Sequence, residues 1–283
     1  MKISPRQFTS LVFKILCSAI TLFALLVLCI LILHILEQGW QWLSLNFVSN
    51  FPSRLPHKAG IKSAIYGTIW ILTLTALISI PLGVCSAIYL EEYAPKKKWV
   101  SWIHLNISNL AGVPSIVYGL LGLAMFARYL KMGQSVLTGA MTISLLVLPI
   151  IIISASKAIR AVPDSIREAA FAMGARRWQV ILGQVLPASI PGILTGVILS
   201  NSRAIGESAP LLIVGALSYV AFVPESISDP FTTLPVQIFN WASRPQEEFH
   251  GLAGAGIIVL LAILFLMNIV AMIFRQKLGK YKL

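Results

Sequence analysis

The chain has 283 residues, of which 57% are hydrophobic and only 11% charged, and its formal net charge is +12. A mean hydropathy of +0.85 excludes an ordinary soluble domain, and several apolar runs reach the about 20 residues that a helix needs to cross a bilayer. Polar and apolar residues do not alternate within these runs, which excludes a transmembrane β-barrel. The composition therefore predicts an all-α polytopic membrane protein.

Six apolar segments are predicted to span the membrane. In chain order they cover residues 15–36, 63–90, 103–127, 135–155, 188–214 and 252–274. The first follows Lys2, Arg6 and Lys14 as in a secretory signal, but it is too long for a signal and no cleavage site follows, so we expect a retained span. The third is the weakest, because Asn106 and Asn109 make its start polar.

Basic residues are divided unequally between the two sides that these spans define. Fifteen of the 22 lysine and arginine residues fall on the side of the two termini, six fall on the other side, and Arg203 lies within a span. Basic loops favour the cytoplasm, so we expect both termini, including the tail 275–283, to be cytoplasmic. The positive charge is thus a topology signal in a protein surrounded by lipid, and it requires no nucleic-acid partner.

Signatures of enzymes and metal sites are missing from the sequence. Cys17, Cys29 and Cys85 have irregular spacing, which fits neither a disulfide framework nor a metal site. Gly279-Lys280-Tyr281 does not complete a phosphate-binding P-loop, and no other stretch has the required spacing. We therefore predict no catalytic residue, no metal and no cofactor, and no ATP hydrolysis by a P-loop in this chain.

A polar stretch between the fourth and fifth spans is predicted to form a helical hairpin. Ser165 and Glu168 have the spacing of a capping box, which predicts that a helix begins at about residue 166. Gly174 suits the left-handed position that ends such a helix. A second helix is predicted over 175–186 and should be stopped by Pro187.

The hairpin fits either a lipid surface or a partner protein. A lipid surface would suit Arg176 and Arg177, but Glu168 would face anionic lipid, and small side chains bury too little apolar area to anchor a helix. Phe171 and Met173 are the bulky apolar groups of the first helix. A helix with a small face and one or two such groups suits a groove in a protein, so we expect a protein partner.

Two charges within the fifth span form a second candidate site. An arginine at the centre of a bilayer costs about 3 kcal/mol on insertion scales. Arg203 and Glu207 are four residues apart and can pair on one helix face. Ser200 lies on the same predicted helix face as this pair. Further back on that face, Gly192 and Gly196 form a G-x-x-x-G pattern that allows close helix approach. The pair is either a structural salt bridge that joins helices or part of an anion-binding site. The second alternative is chemically suitable because a guanidinium matches the geometry of phosphate.

The hairpin resembles the EAA motif of ABC-importer permeases: Glu-Ala-Ala, a glycine six residues after the glutamate, and an Ile-x-Leu-Pro ending. The matching residues are Glu168, Ala169, Ala170, Gly174, Leu186 and Pro187. Gln184 departs from the pattern, since the family usually has an apolar residue there. The resemblance implies that 163–187 docks on an ATP-binding subunit. The coupling residues would be Glu168, Ala169, Ala170, Gly174, Arg176 and Arg177.

The fifth span also resembles a family signature. The stretch S-R-A-I-G-E-S-A-P-L-L at 202–212 is similar to that of the PstA family of phosphate-importer permeases, with Ser208 in place of threonine. The paired PstC family shares R-A-I-G-E but diverges after it. The loop 91–95 and the outer stretches 229–235 and 240–245 extend the similarity.

This second resemblance implies an architecture, a function and partners. The fold would be a MetI-like type I importer core of five helices over 63–274, preceded by one additional helix in the unit 1–62. The chain would be a permease for inorganic phosphate in a prokaryotic cell membrane. Its partners would be a PstC-type permease, two PstB-type ATP-binding subunits and an external phosphate-binding protein. The substrate pathway would include Ser200, Arg203, Glu207 and Ser208.

Two other functions remain open from the sequence. A permease for another oxyanion, such as sulfate or molybdate, would share the EAA motif, and only the fifth span and the outer loop argue against it. A membrane scaffold or regulatory subunit that transports nothing would also fit the predicted fold. Removing Arg203 in the assembled complex separates transport from scaffolding.

Overall fold

A computed structural model describes residues 5–95, 97–216 and 219–279, and every regular element within these ranges is a helix. Four of the basic residues that support the predicted orientation lie outside the described residues: Lys2, Lys96, Lys280 and Lys282.

Twelve α-helices are described. They are α1 (Pro5–Trp40), α2 (Leu45–Ser49), α3 (Lys62–Ile88), α4 (Lys98–Leu110), α5 (Ser115–Gly122), α6 (Val136–Arg160), α7 (Asp164–Ala172), α8 (Arg177–Val180), α9 (Leu186–Ile205), α10 (Ala209–Val214), α11 (Leu234–Ala242) and α12 (Glu247–Gly279). Three π-helical turns continue α3, α5 and α8, at Tyr89–Tyr93, Leu123–Tyr129 and Ile181–Val185, and a 3₁₀ turn covers Pro56–Lys58.

Four predicted spans are confirmed as helices long and apolar enough to cross a membrane. The first, second and sixth lie within Thr9–Trp40, Lys62–Tyr93 and Glu247–Lys277, and the fourth, apart from Ser135, lies within Val136–Arg160. The third, predicted over 103–127, is a bent pair of helices that is long and apolar enough to span only when the two are taken together. Two helices, Lys98–Leu110 and Ser115–Tyr129, meet there at an angle of 98°. Pro114 precedes the second helix and disfavours helical backbone before it, which explains the break.

The fifth span is helical, but the predicted stop at Pro187 and the unbroken course to residue 214 are both wrong. The helix is continuous over Arg177–Ile205, so Pro187 does not stop it. Pro187 lies in the first turn of α9, directly after a π-helical turn, and a missing N–H is tolerated at such a position. At the other end α9 stops at Ile205, and α10 forms a separate helix from Ala209.

Helix α6 is the centre of the bundle and packs on both α3 and α9. Small residues bring the axes close: a Cβ at Gly83 of α3 would lie 2.5 Å from Ile151 of α6. A Cβ at Gly196 of α9 would lie 2.2 Å from the Cβ of Ser154, which confirms the close approach predicted from the G-x-x-x-G pattern. The charged segment of the fifth span is therefore carried by a tightly packed core.

Helix α1 lies outside this core and packs on α12. Gly39 contacts Gly254 so closely that a Cβ at Gly39 would lie 2.5 Å from the carbonyl carbon of Gly254. Large apolar side chains of α1, including Phe13, Phe23 and Leu33, are more than 60% exposed. Such a surface suits lipid or another membrane subunit.

Candidate coupling hairpin and charged pair

The hairpin between α6 and α9 starts earlier than its sequence pattern predicts. Helix α7 begins at Asp164, and Pro163 occupies the capping position without a side-chain hydrogen bond. Ser165 lies inside the helix, so the predicted Ser165–Glu168 capping box is wrong. Pro163 explains the shift, because its φ of −59° already has the value that a first helical turn needs.

The turn of the hairpin depends on Gly174, as predicted. Its φ of +84° lies in the left-handed region, and a Cβ added there would meet no atom of the described residues within 4 Å, apart from its chain neighbours. Backbone conformation, rather than space, therefore requires glycine. The N–H of Gly174 donates to the carbonyl of Phe171 at 2.9 Å, and the N–H of Ala175 donates to that of Ala170 at 3.2 Å.

Apolar side chains at the tip of the hairpin are unusually exposed. The exposed fractions are 47% for Phe171, 89% for Met173 and 53% for Trp178. Glu168 and Ala169 share the exposed surface, whereas Ala170 packs against the core. An outward-facing apolar cluster of this kind indicates a contact with another molecule.

The predicted coupling residues Arg176 and Arg177 are both exposed, and they have different surroundings. The N–H of Arg176 donates to Oε1 of Gln179 at 2.7 Å, which caps α8. The guanidinium of Arg177 lies over the ring of Tyr93, 5.3 Å from its centroid, as a cation–π contact. Arg177 therefore touches the end of the second span.

Arg167 makes the densest set of contacts in the hairpin, and the sequence pattern did not identify it. Nε and Nη2 donate to Oε1 of Glu92 at 3.1 and 2.8 Å. Nη1 donates to the carbonyl of Val162 at 2.6 Å and to Asp164 at 3.1 Å, and Nη2 donates to the carbonyl of Ile159 at 3.0 Å. Glu92 and Arg167 are 75 positions apart, so no local spacing predicts their contact.

A second ion pair lies beside it. Nε of Arg160, at the end of α6, donates to Oε2 of Glu91 at 2.6 Å. Nε2 of His104 in α4 lies 3.5 Å from Oε1 of Glu91 and 3.2 Å from Nη2 of Arg160. The second span, α4 and α6 are thus joined at one end of the bundle.

The predicted pair within the fifth span is confirmed. Nε of Arg203 lies 3.3 Å from Oε1 of Glu207, and the side chains are 43% and 16% exposed. Arg203 belongs to the last turn of α9, whereas Glu207 lies in the break before α10. The more exposed arginine therefore presents part of its guanidinium outside the pair, and a guanidinium can donate hydrogen bonds to an anion.

The two serines of the predicted pathway are placed differently. Ser200 is fully buried, and its Oγ donates to the carbonyl of Val197 at 2.9 Å within its own helix. Ser208 lies beside Glu207 in the break, where its carbonyl accepts the N–H of Leu212 at 2.9 Å. The structure thus brings Ser208, but not the hydroxyl of Ser200, to the surface that carries the pair.

Helix α3 forms the other wall beside Glu207. A cavity of about 10 Å³, the space of one water molecule, is lined by Glu207, by Thr68, Ile71 and Leu72 of α3, and by Thr233 just before α11. Thr68 also joins α3 to α11, since its Oγ1 accepts the N–H of Leu234 at 2.9 Å. A movement of α3 would therefore change the surroundings of Glu207.

Comparison with known proteins identifies the family. The model of the family described as "Binding-protein-dependent transport system inner membrane component" matches residues 79–280, well over half of the chain. The chain belongs to this family. Its helical architecture agrees with that of solved importer permeases, and the predicted fold class is confirmed.

Curated relatives of this inner membrane component are similar over most of their length. The chain is 34% identical to the phosphate transport system permease protein PstA of Yersinia pestis, over 93% of this chain and 89% of the relative. It is 33% identical to the probable ABC transporter permease protein YqgI of Bacillus subtilis (strain 168), over 82% and 84%.

Solved structures share the fold at low identity. A chain of a bacterial alginate ABC transporter, in complex with an alginate pentasaccharide-bound periplasmic protein, matches with a TM-score of 0.71 at 16% identity, over 96% of both chains. A chain of the inward-facing MetNI methionine ABC transporter matches with a TM-score of 0.60 at 16% identity, over 77% of this chain and 94% of the other.

Proposed function

We propose that this chain is the PstA-type permease subunit of an ATP-driven importer of inorganic phosphate. The observation that carries the proposal is similarity to PstA proteins at 30–34% identity over 84–93% of this chain, in species as different as Yersinia pestis and Mycobacterium tuberculosis. The chain would supply half of the translocation path. By analogy with that system, the rest of the assembly would be a PstC-type permease, two PstB-type ATP-binding subunits and an external phosphate-binding protein.

Arg203 is the proposed contact for phosphate. Its side chain is 43% exposed, and its guanidinium offers planar N–H donors that match phosphate oxygens. Glu207 orients Arg203 and competes with the anion for its guanidinium, which weakens anion binding. A transport pathway needs such weak binding because the ion must be released again. The break after Ile205 supports this role, because discontinuous helices line substrate sites in many transporters.

The hairpin is the proposed contact for an ATP-binding subunit. Phe171 and Met173 offer two apolar groups on a small-faced helix, which suits a groove in a partner. Glu168, Ala169, Ala170, Gly174, Arg176 and Arg177 are the proposed coupling residues. This role places the hairpin and both termini in the cytoplasm, in agreement with the basic residues on that side.

A continuous helix connects the two proposed sites. Residues 177–205 form one helical rod, and 26 residues separate Arg177 from Arg203, which corresponds to roughly 40 Å. Because this helix is unbroken, a tilt at the hairpin would reach the charged pair. Closure of the ATP-binding subunits would thus move Arg203 and Glu207 and open the path outward.

Replacing Arg203 tests the proposal. The chain is assembled with its partners in proteoliposomes, and uptake of labelled phosphate, sulfate and molybdate is measured. Arg203→Gln should lower phosphate uptake about tenfold or more, the effect of losing one charge-assisted hydrogen bond. Arg128→Gln, which removes another exposed arginine, is the matched control and should leave uptake unchanged. Unchanged uptake in Arg203→Gln at normal complex levels would remove Arg203 from the pathway. Uptake of sulfate or molybdate but not of phosphate would show that the proposed substrate is wrong.

A further inference from the structure

The π-helical end of the second span, Tyr89–Tyr93, holds three arginines with three consecutive side chains. Glu91 pairs with Arg160 at 2.6 Å, Glu92 pairs with Arg167 at 2.8 Å, and Tyr93 lies under Arg177 at 5.3 Å. These arginines come from the end of α6, from α7 and from the start of α8. The end of the second span therefore contacts both arms of the hairpin and the helix that leads into it.

The pair of Glu92 and Arg167 is the strongest of these contacts. Their side chains are only 10% and 16% exposed, and two N–H groups of Arg167 converge on one carboxylate oxygen. Asp164 reaches the same arginine at 3.1 Å, but its side chain is 88% exposed. Water and salt screen an exposed pair, whereas a buried charge that loses its partner is strongly destabilised. Glu92 should therefore dominate over Asp164 in holding Arg167.

Two backbone carbonyls fix the position of the Arg167 guanidinium. Arg167 also donates to the carbonyls of Ile159 and Val162 at 3.0 and 2.6 Å, where α6 ends. The guanidinium is thus fixed to the hairpin and to α6 at the same time, and Glu92 joins this same guanidinium to the second span. We call the Glu92–Arg167 pair the clamp.

We propose that Glu92 and Arg167 are positioning residues that make the second span move together with the hairpin. The inference rests on the proposed function and extends it, because the EAA hairpin then drives α3 in addition to α6 and α9. Residues Lys62–Tyr93 form one continuous helix, so a displacement at Glu92 reaches Thr68, Ile71 and Leu72. Those three residues line the cavity beside Glu207. The clamp thereby couples the hairpin to both walls of the charged pair.

A static brace would use the same contacts and would also keep the two helices at a fixed distance, so a nucleotide-dependent shift in a variant that lacks the Glu92 carboxylate separates the two roles. A pair of spin labels measures it, one at Ser165→Cys in α7 and one at Leu82→Cys in α3, with Cys17, Cys29 and Cys85 replaced by serine because all three are free and exposed. The complete complex is compared without nucleotide and with ATP and vanadate. The clamp predicts that the distance between the labels is the same in both states.

Breaking the clamp should release this constraint. In Glu92→Gln the label distance should broaden and shift by about 2–5 Å between the two states. Asp164→Asn removes the other carboxylate that contacts Arg167 and is the matched control. It should behave as the wild-type protein. Glu92→Asp keeps the charge on a shorter side chain and should give an intermediate shift, and it serves as the test variant if Glu92→Gln does not assemble.

Transport provides the second readout. Phosphate uptake per ATP hydrolysed should fall about fivefold or more in Glu92→Gln, with ATP hydrolysis retained, and should be unchanged in Asp164→Asn. A nucleotide-dependent label distance in the wild-type protein, or identical distances in Glu92→Gln and the wild-type protein, would overturn the clamp. A wild-type complex that hydrolyses ATP but takes up no phosphate would instead overturn the proposed function, and the label distances would still decide on the clamp.

Discussion

Gly174 allows backbone strain at the hairpin to be separated from crowding. Its φ is +84°, and no atom of the described residues other than its chain neighbours lies within 4 Å of an added Cβ, so Gly174→Ala introduces left-handed strain and no collision. That strain is about 1–2 kcal/mol for an L-residue. Gly183 also has open space around an added Cβ, but its φ is not positive, so Gly183→Ala should be neutral or stabilising by up to about 1 kcal/mol.

The series is extended by two further substitutions at the same position. Gly174→Asn should be milder than Gly174→Ala, because asparagine tolerates the left-handed region better. Gly174→Pro should be the most severe, since proline fixes φ near −65° and removes the N–H that donates to Phe171. The expected order of destabilisation is proline, alanine, asparagine and then glycine.

Hydrogen exchange of the amides in 164–180 measures this order in the assembled complex. A local loss of 1–2 kcal/mol should speed exchange in Gly174→Ala by about 5–30-fold, with no acceleration in Gly183→Ala. Equal exchange in the two alanine variants would refute the strain argument. In the same complexes Gly174→Pro should insert normally and hydrolyse ATP without coupled phosphate uptake. Normal uptake per ATP in that variant would refute the coupling role of the hairpin.

Two further predictions concern the fifth span. Gly196→Val should destabilise the detergent-solubilised protein by about 1–3 kcal/mol, because the new Cβ would lie 2.2 Å from the Cβ of Ser154 in α6. An unchanged midpoint of thermal unfolding would contradict the close packing. Ser200→Ala should leave phosphate uptake unchanged, since the buried Oγ donates to the carbonyl of Val197 within its own helix. A loss of uptake with normal complex levels would return Ser200 to the pathway.

Features set by local sequence were predictable. Four spans followed from hydropathy, because a long apolar run has few stable alternatives to a helix in lipid. The contact of Arg203 with Glu207 followed from their spacing of four residues, and it forms although Glu207 lies just beyond the end of α9. The left-handed turn at Gly174 followed from glycine's lack of a Cβ. In each case the deciding interaction lies within about one helical turn.

Features set by competition between neighbouring signals were predicted wrongly. Pro187 was expected to end a helix, but it falls in the first turn of α9, where the preceding π-helical turn accommodates it. Ser165 has the right spacing to cap a helix with Glu168, but Pro163 starts α7 before it. The residue type indicated that a helix boundary is near. Whether the residue caps, ends or continues a helix depended on its position relative to the helix start.

Contacts between distant segments could not be derived from spacing at all. Glu92 and Arg167 are 75 positions apart, and Arg160 and Glu91 are 69 apart. The stretch 91–95 resembled a family loop, but nothing in it specified which cations it would meet. Only the packing of α3 on α6 brings these groups together, because it places the end of the second span beside the end of the fourth.

The hairpin is joined to three helices by three different means, which limits how it can move. It follows α6 through a short turn at Pro163, continues into α9 without a break, and is tied to α3 by the clamp. Helix α12 is bonded to α9, since Ser202 donates to Asn268 at 2.7 Å and Arg275 donates to Thr195 at 3.2 Å. A force on the hairpin therefore acts on the core as a group, whereas α1 reaches it mainly through α12.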